Sequence, residues 1–397
     1  MTTDMSTSTH GLLLIRISDF EAPLGDSFHC IQQALVLVHR LTIVVSVPTT
    51  SSTNTSETGH SNSSPESNND TVNGESNNGR SRGGVTDSDR LLNNLNNRSA
   101  PPPSFHSVQR LLSALYVSFT KQVMALQKPL TELDIVFKDS CGYEIGAGKD
   151  DEIPFNLFLG IPQVNRQLEA LNEKRVQYGQ KSLPIFLLDP TITPNTFADS
   201  THLVEAIDSS VSHSKVREGQ YSDVALGGTF DHLHAGHKIL LSMTAWITSH
   251  RVVCGVTDDS MLLTKKYKEY MESLEHRIHA VERFLRIFKR DLIYEVVPIH
   301  DIYGPTITDN KLEALTVSKE TIKGGAAVNK ERGNRSLPSL NIEVINVISP
   351  TETQVDEVSS KISSTYIRQY LSEQKQQKQK QGKAEGGTNR AAPTRAL

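Results

Sequence analysis

The chain has 397 residues, of which 37% are hydrophobic, 6% aromatic and 22% charged, with a formal net charge of -4. That length can hold two ordinary domains. No apolar run approaches the roughly 20 residues of a membrane-spanning helix, and the charge excludes a nucleic-acid binder driven by bulk positive charge.

Three widely separated cysteines, Cys30, Cys141 and Cys254, with no CxxC pair, argue against a disulfide framework and a structural zinc. A reducing compartment is expected, the cytoplasm first, with nucleus and mitochondrion left open. The N-terminus has an acid at Asp4, no Lys or Arg before Arg16 and only a short apolar patch, which does not make a secretory or transit signal. Ile31 to Val47 is rich in β-branched residues and predicts a strand. Residues 49–104 are almost all Ser, Thr, Asn, Gly and charge, without one aromatic residue. Such a segment cannot bury enough surface to offset its ordering entropy, and a disordered insertion is expected. Apolar spacing from Ser104 to Gln127 predicts a helix, stopped by Pro129. TELDIVF (131–137) predicts a strand, Gln163 to Tyr178 a helix, and PIFLLDP (184–190) a buried strand. Residues 1–213 thus read as an α/β region of unassigned role, interrupted by the polar insertion.

From Tyr221 the signals are denser. SDVALGG (222–228) reads as a strand and glycine turn. A helix follows with Ile239, Leu240, Met243, Trp246 and Ile247 on one face. HRVVCGV (250–256) is a strand, and SLEHRIHAVERFLRIF (273–288) an amphipathic helix. LIYEVVPI (292–299), LEALTVS (312–318) and NIEVINVI (341–348) are strands, and KISSTYIRQYLSE (361–373) closes as a helix. This alternation implies right-handed crossovers and a Rossmann-like α/β domain over 214–373, with a five-stranded parallel sheet. Residues 374–397 carry six basic residues against Glu385 alone and predict a solvated, disordered tail.

VALGGTFDHLHAGHK (224–238) carries the chemistry. Gly227 and Gly228 follow a strand, and a helix opens near Ala235. His234 and His237, spaced i and i+3, aim toward one side of its first turn, and Gly236 between them permits close approach. Free amides at the helix start add partial positive charge, so this end of the sheet suits a polyphosphate. Zinc would need a further ligand; His232 is near, but no HExxH accompanies it. In the late stretch, Ser363, Ser364 and Thr365 precede a helical pattern and read as an N-cap facing the same anion, with Arg368 one turn on.

GGTFDHLHAGHK with KISSTYIR (361–368) resembles the nucleotidylyltransferase superfamily of HxGH and ISSTxIR signatures. HDIYGPTITD (300–309), LTVSKETIKGGAAVNKERGNRSLPSL (315–340) and LLTKKYKEYMESLEHR (262–277) are similar to the eukaryotic type of pantetheine-phosphate adenylyltransferase. The resemblance covers about 221–373. It implies transfer of AMP from ATP to 4′-phosphopantetheine, giving dephospho-coenzyme A and pyrophosphate, with Mg2+ carried by the nucleotide and no metal held by the protein. His234 and His237 would bind the ATP phosphates, His237 at the transition state. Gly227, Gly228, Phe230 and Gly236 would complete that end of the ATP site. Thr229 would hold the attacking phosphate, and Lys266 would neutralise charge between the substrates, with Lys265 and Lys268 as rivals. Ser363, Ser364, Thr365 and Arg368 would grip the β- and γ-phosphates. Ser318, Glu320 and Thr321 would frame the adenosine, and Gly304, Pro305 and Thr306 would line the pantetheine channel. Neither a nucleic-acid nor a membrane partner is implied.

A kinase step on dephospho-coenzyme A needs GxxxxGK[ST]. At Gly148-Lys149, Tyr143 and Asp150 occupy the first glycine and hydroxyl positions. A separate kinase is therefore expected, with other coenzyme A enzymes as partners. A lipid-head-group cytidylyltransferase would carry Arg-Thr-x-Gly where this chain has Val358-Ser-Ser-Lys361. A nicotinamide mononucleotide adenylyltransferase would read Phe-Asn-Pro at Phe230-Asp231-His232. A class I tRNA synthetase would need a second lysine beside Lys361. A non-catalytic scaffold is the remaining alternative.

Overall fold

The computed structural model describes residues 9–20, 22, 24–47, 103–191, 216–346 and 363–386. The expected insertion lies outside these apart from its last two positions, as do Lys361, Ile362 and residues 387–397.

The first sheet holds β1 (His10–Arg16), β2 (Arg40–Ser46), β3 (Glu132–Phe137), β4 (Leu157–Gly160) and β5 (Ile185–Leu187), all parallel, in the order β3-β2-β1-β4-β5. Its helices are α1 (Gly25–Leu37), α2 (Phe105–Ala125) and α3 (Asn165–Gln177). β1 reads as a near-continuous apolar run because Leu12, Leu13, Leu14 and Ile15 are buried on both faces. The expected strand from Ile31 to Val47 is corrected. Its first part, Ile31 to Leu37, is the end of α1, where Phe28, Ile31, Ala34 and Leu35 recur at helical spacing and are buried. Only Arg40–Ser46 is strand. β5 was expected to be buried; it is the outermost strand, and Phe186 and Leu187 are 47% and 49% exposed.

The second sheet holds β6 (Tyr221–Gly228), β7 (Thr248–Thr257), β8 (Ile293–Ile299), β9 (Ala314–Ser318) and β10 (Asn341–Ile345), parallel in the order β10-β9-β6-β7-β8. This is the Rossmann-like arrangement the alternation implied. Counted within its own half, each sheet has strand order 3-2-1-4-5. Helices α4 (Ala235–Ile247), α5 (Leu274–Phe288) and α6 (Ile322–Asn334) connect the second set, and α7 (Ser364–Gly386) follows. The tail was expected to lose structure from Gln374. Instead α7 continues to Gly386: its Gln, Lys and Glu residues are good helix formers, and the segment holds no proline.

One apolar core runs through both sheets. α2 and β3 pack against α4 and α5, with the Phe105 ring 6.3 Å from Trp246. At the far end of α5 the Tyr143 hydroxyl donates to the Ile287 carbonyl (3.0 Å), and the Arg290 guanidinium lies 4.1 Å from the Tyr143 ring centre. The two helices that begin beside the glycine turn therefore rest on the N-terminal half.

Candidate active site

The chain leaves β6 toward β7 on one side and returns to β9 on the other, which opens a crevice at the carboxyl ends of these strands. β6 ends on Gly227 and Gly228. A Cβ on Gly228 would stand 3.1 Å from the Phe230 ring, so glycine is what lets that ring fold back against the strand end. Phe230 (φ 51°) and His232 (φ 45°) take left-handed backbone, and both Phe230 and Asp231 are wholly buried. Phe230 was expected among the ATP-binding residues. Its side chain is instead in the core, 5.3 Å from the His237 ring, and supports that ring without facing the crevice.

His234 is the N-cap residue of α4, in extended backbone with no side-chain cap. The His234 and His237 rings stack at 3.8 Å with 23° between planes. Both side chains are partly exposed, and Gly236 is buried within the turn. The Nδ1 atom of each ring is buried with no hydrogen-bond partner among the described residues. Burial, with smaller repulsion from His232 and Lys238, lowers the His234 pKa to about 3. Burial, with repulsion from His234, lowers His237 well below its ordinary value. Two neutral imidazoles at a helix start form a site where an incoming anion favours protonation.

Asp231 ties the glycine turn to the late hydroxyl motif. Its carboxylate pairs with Arg368 and accepts the Glu272 amide (2.9 Å), and its carbonyl accepts the Ser364 hydroxyl (2.8 Å). The two sequence motifs therefore adjoin. Ser363 Oγ accepts the Tyr366 amide at 3.2 Å, the cap expected of it. Arg368 was expected to grip phosphates. It is 2% exposed and already engaged: besides Asp231 it donates to the Lys266 carbonyl (3.0 Å) and to the hydroxyl of exposed Thr365 (3.2 Å). A guanidinium in this position locks the loop carrying Lys266 to α7. Lys265, Lys266 and Lys268 all have exposed side chains, and exposure does not choose among them.

Two further groups brace the crevice. The His232 amide donates to Glu272 (2.7 Å), and its Nε2 donates to the Tyr270 carbonyl (2.8 Å). Arg277, fully buried, donates to the carbonyls of Thr229 (2.7 Å) and Thr257 (2.9 Å) and to Asp259 (2.6 Å). Thr229 itself is partly exposed at the end of β6. Ser318 and Thr321 hydrogen-bond each other (3.1 Å) in the turn after β9, with Glu320 exposed beside them. In the turn after β8, Gly304 has φ 50°, and a Cβ there would stand 2.5 Å from Ile299. Ile299 also lies against Gly255 and Gly227, which brings this turn to the same sheet edge. Thr306 is buried, its hydroxyl spent on the Tyr303 carbonyl (2.6 Å), so it offers no free hydroxyl to a channel. Asp231, Glu272 and Arg277 were not singled out from sequence as site residues. For Asp231 a signal was available: a carboxylate inside a phosphate-binding motif is disfavoured beside a triphosphate unless a cation lies between them, and so calls for internal cationic or amide partners.

Among the described residues no group of three or more His, Cys, Asp or Glu side chains could hold a metal ion, and no helix is long and apolar enough to cross a membrane. A parallel sheet with paired imidazoles at its first crossover, beside a hydroxyl-capped helix start, is the arrangement expected of a nucleotidyltransferase. Residues 225–370 match the cytidylyltransferase-like family model. The chain is 33% identical over 288 residues, 68% of its own length and 90% of the relative's, to the phosphopantetheine adenylyltransferase of Saccharomyces cerevisiae. It is 38% identical over 149 residues to that of Methanopyrus kandleri, covering 38% of this chain and 90% of the other. An uncharacterised protein of Schizosaccharomyces pombe is 46% identical over 149 residues, 37% of this chain and 47% of that one. The chain belongs to the phosphopantetheine adenylyltransferase family.

Proposed function

We propose that this chain transfers AMP from ATP to 4′-phosphopantetheine, giving dephospho-coenzyme A and pyrophosphate. An oxygen of the pantetheine phosphate attacks the ATP α-phosphorus in line, and the bond from that phosphorus to the β-phosphate bridging oxygen breaks. Both partners are already anionic, so the step needs fixed donors for developing charge more than a covalent nucleophile. His237 donates to the α-phosphate as its charge grows, and His234 binds the neighbouring phosphates. Thr229 holds the attacking phosphate at the end of β6, and Lys266 reaches between the two substrates. Ser363, Ser364 and Thr365 present the start of α7 to the β- and γ-phosphates. Arg368 acts here by holding that start in place. Ser318, Glu320 and Thr321 frame the adenosine, and the Gly304–Thr306 turn lines the pantetheine channel. Mg2+ bound to the nucleotide would neutralise phosphate charge there without a cage of protein ligands.

The observation that carries this reading is the Ser364–Asp231 hydrogen bond, by which the histidine and hydroxyl motifs adjoin. In the Gly148-Lys149 turn the amides of Gly146 and Gly148 are taken by Asp151 (2.8 and 3.0 Å), so this turn does not offer them to a phosphate. Pyrophosphate release measured with ATP and 4′-phosphopantetheine, CTP and phosphocholine, and ATP and nicotinamide mononucleotide tests the assignment. Turnover is expected with the first pair alone; turnover with either other pair and not the first would overturn it.

A further inference from the structure

Lys238 follows His237 on the first turn of α4, and its amide donates to the His234 carbonyl (3.0 Å). Its side chain turns away from the crevice and is 5% exposed. Nζ donates to the Leu133 carbonyl (2.7 Å) and to Asp134 (2.8 Å), both on β3 of the N-terminal sheet, and lies 5.4 Å from the Phe284 ring centre. Asp134 is 1% exposed and also takes Arg40 of β2 at 2.6 Å. Burial pushes its carboxyl pKa up; Lys238 and Arg40 outweigh burial and hold it below the usual carboxylate range.

A buried ion pair of this kind adds little net stability compared with well-packed apolar residues, but it fixes one geometry. Geometry is what the imidazoles lack on their own. Neither ring has a partner at Nδ1 to orient it, unlike an imidazole steered by a second hydrogen bond. Their placement depends on the backbone of this turn, on their mutual stacking and on Phe230. The Lys238 side of the turn is not packed solid either: a cavity of about 270 Å³ lies there, bounded by Arg40, Asp134, His234 and Lys238 among others.

We infer that Asp134, in the N-terminal half, is a positioning residue for adenylyl transfer, which it serves by anchoring Lys238 and so fixing His234 and His237. The inference rests on the activity proposed above. A displacement of about 1 Å at a reacting group can cost on the order of a hundredfold in rate.

The test uses the full chain with Asp134→Asn, Asp134→Glu, Lys238→Met and the Asp134→Asn/Lys238→Met pair, each verified as folded by circular dichroism and Trp246 emission. Asp134→Asn is expected to lower kcat by about tenfold or more with the KM for ATP within about threefold, and to shift the 15N imidazole resonances of His234 and His237. Asp134→Glu, which keeps the charge and moves it, falls between this and the parent. The pair is no slower than its slower single, because both changes remove one anchor. Where Asp134→Asn does not fold, Asp134→Glu decides. A folded Asp134 variant with parental kcat and parental imidazole resonances overturns the inference. An inactive parent chain overturns the proposed function instead, and the anchor then stands or falls on the imidazole resonances.

Discussion

The imidazole pair makes two demands that can be measured separately. His237→Ala removes a donor aimed at transition-state charge and is expected to cost about 3 kcal/mol, roughly a hundredfold in kcat, in a steady-state pyrophosphate assay. The second demand concerns protons. His234 titrates near 3 when folded and near 6.5 when unfolded, and buried His10 is likewise lowered, to about 4, by burial and Arg40. Between these values the unfolded chain binds more protons, so stability is full above about pH 6.5 and is lost as pH falls through that window. Thermal melts from pH 7 to pH 4 should show the decline, shallower in His234→Asn. ATP reverses the sign of its own linkage: an anion beside the rings raises their pKa, binding takes up protons, and affinity tightens as pH falls. Calorimetry in buffers of different ionisation enthalpy reads that uptake directly.

At the scale of elements, the histidine and hydroxyl motifs were legible because each sits at a strand–turn–helix boundary with its own composition, and Ser364 on Asp231 joins them. Arg368 shows where that legibility stops. Sequence gives a cation near phosphate donors; only the fold places the fully buried Asp231 against it and turns a phosphate ligand into an internal tie. Arg368→Gln strands that carboxylate. A loss of about 3–5 kcal/mol in urea denaturation is expected, against about 1 kcal/mol for Ser364→Ala. β1 and β4 escaped the sequence reading because a short apolar strand looks like any buried run. α1 escaped because its β-branched residues run straight on into β2. α6 carries Gly324 and Gly325, which weaken any helical pattern.

At the scale of the molecule, the two sheets share their strand order and their core. The single tryptophan, Trp246, is 1% exposed and packs beside Phe105 where α2 meets α4. Unfolding followed by its emission should coincide with unfolding followed by far-ultraviolet circular dichroism; a Trp246 transition at lower urea would mean the halves part before they melt. The Methanopyrus kandleri relative is matched over 149 residues, 38% of this chain and 90% of its own length. In this chain the second sheet's first helix is anchored on the first. The glycine turn shows what such dependence means. Phe230 and His232 each hold a left-handed backbone that a free chain would abandon, at a cost of about 1–3 kcal/mol apiece. What retains them are ties to Glu272, Ser364 and Arg368, from segments far along the chain. The signature most readable as letters is thus the one least able to keep its own shape. Grafted onto another strand and helix without those distant ties, it would relax and bring no phosphate site with it.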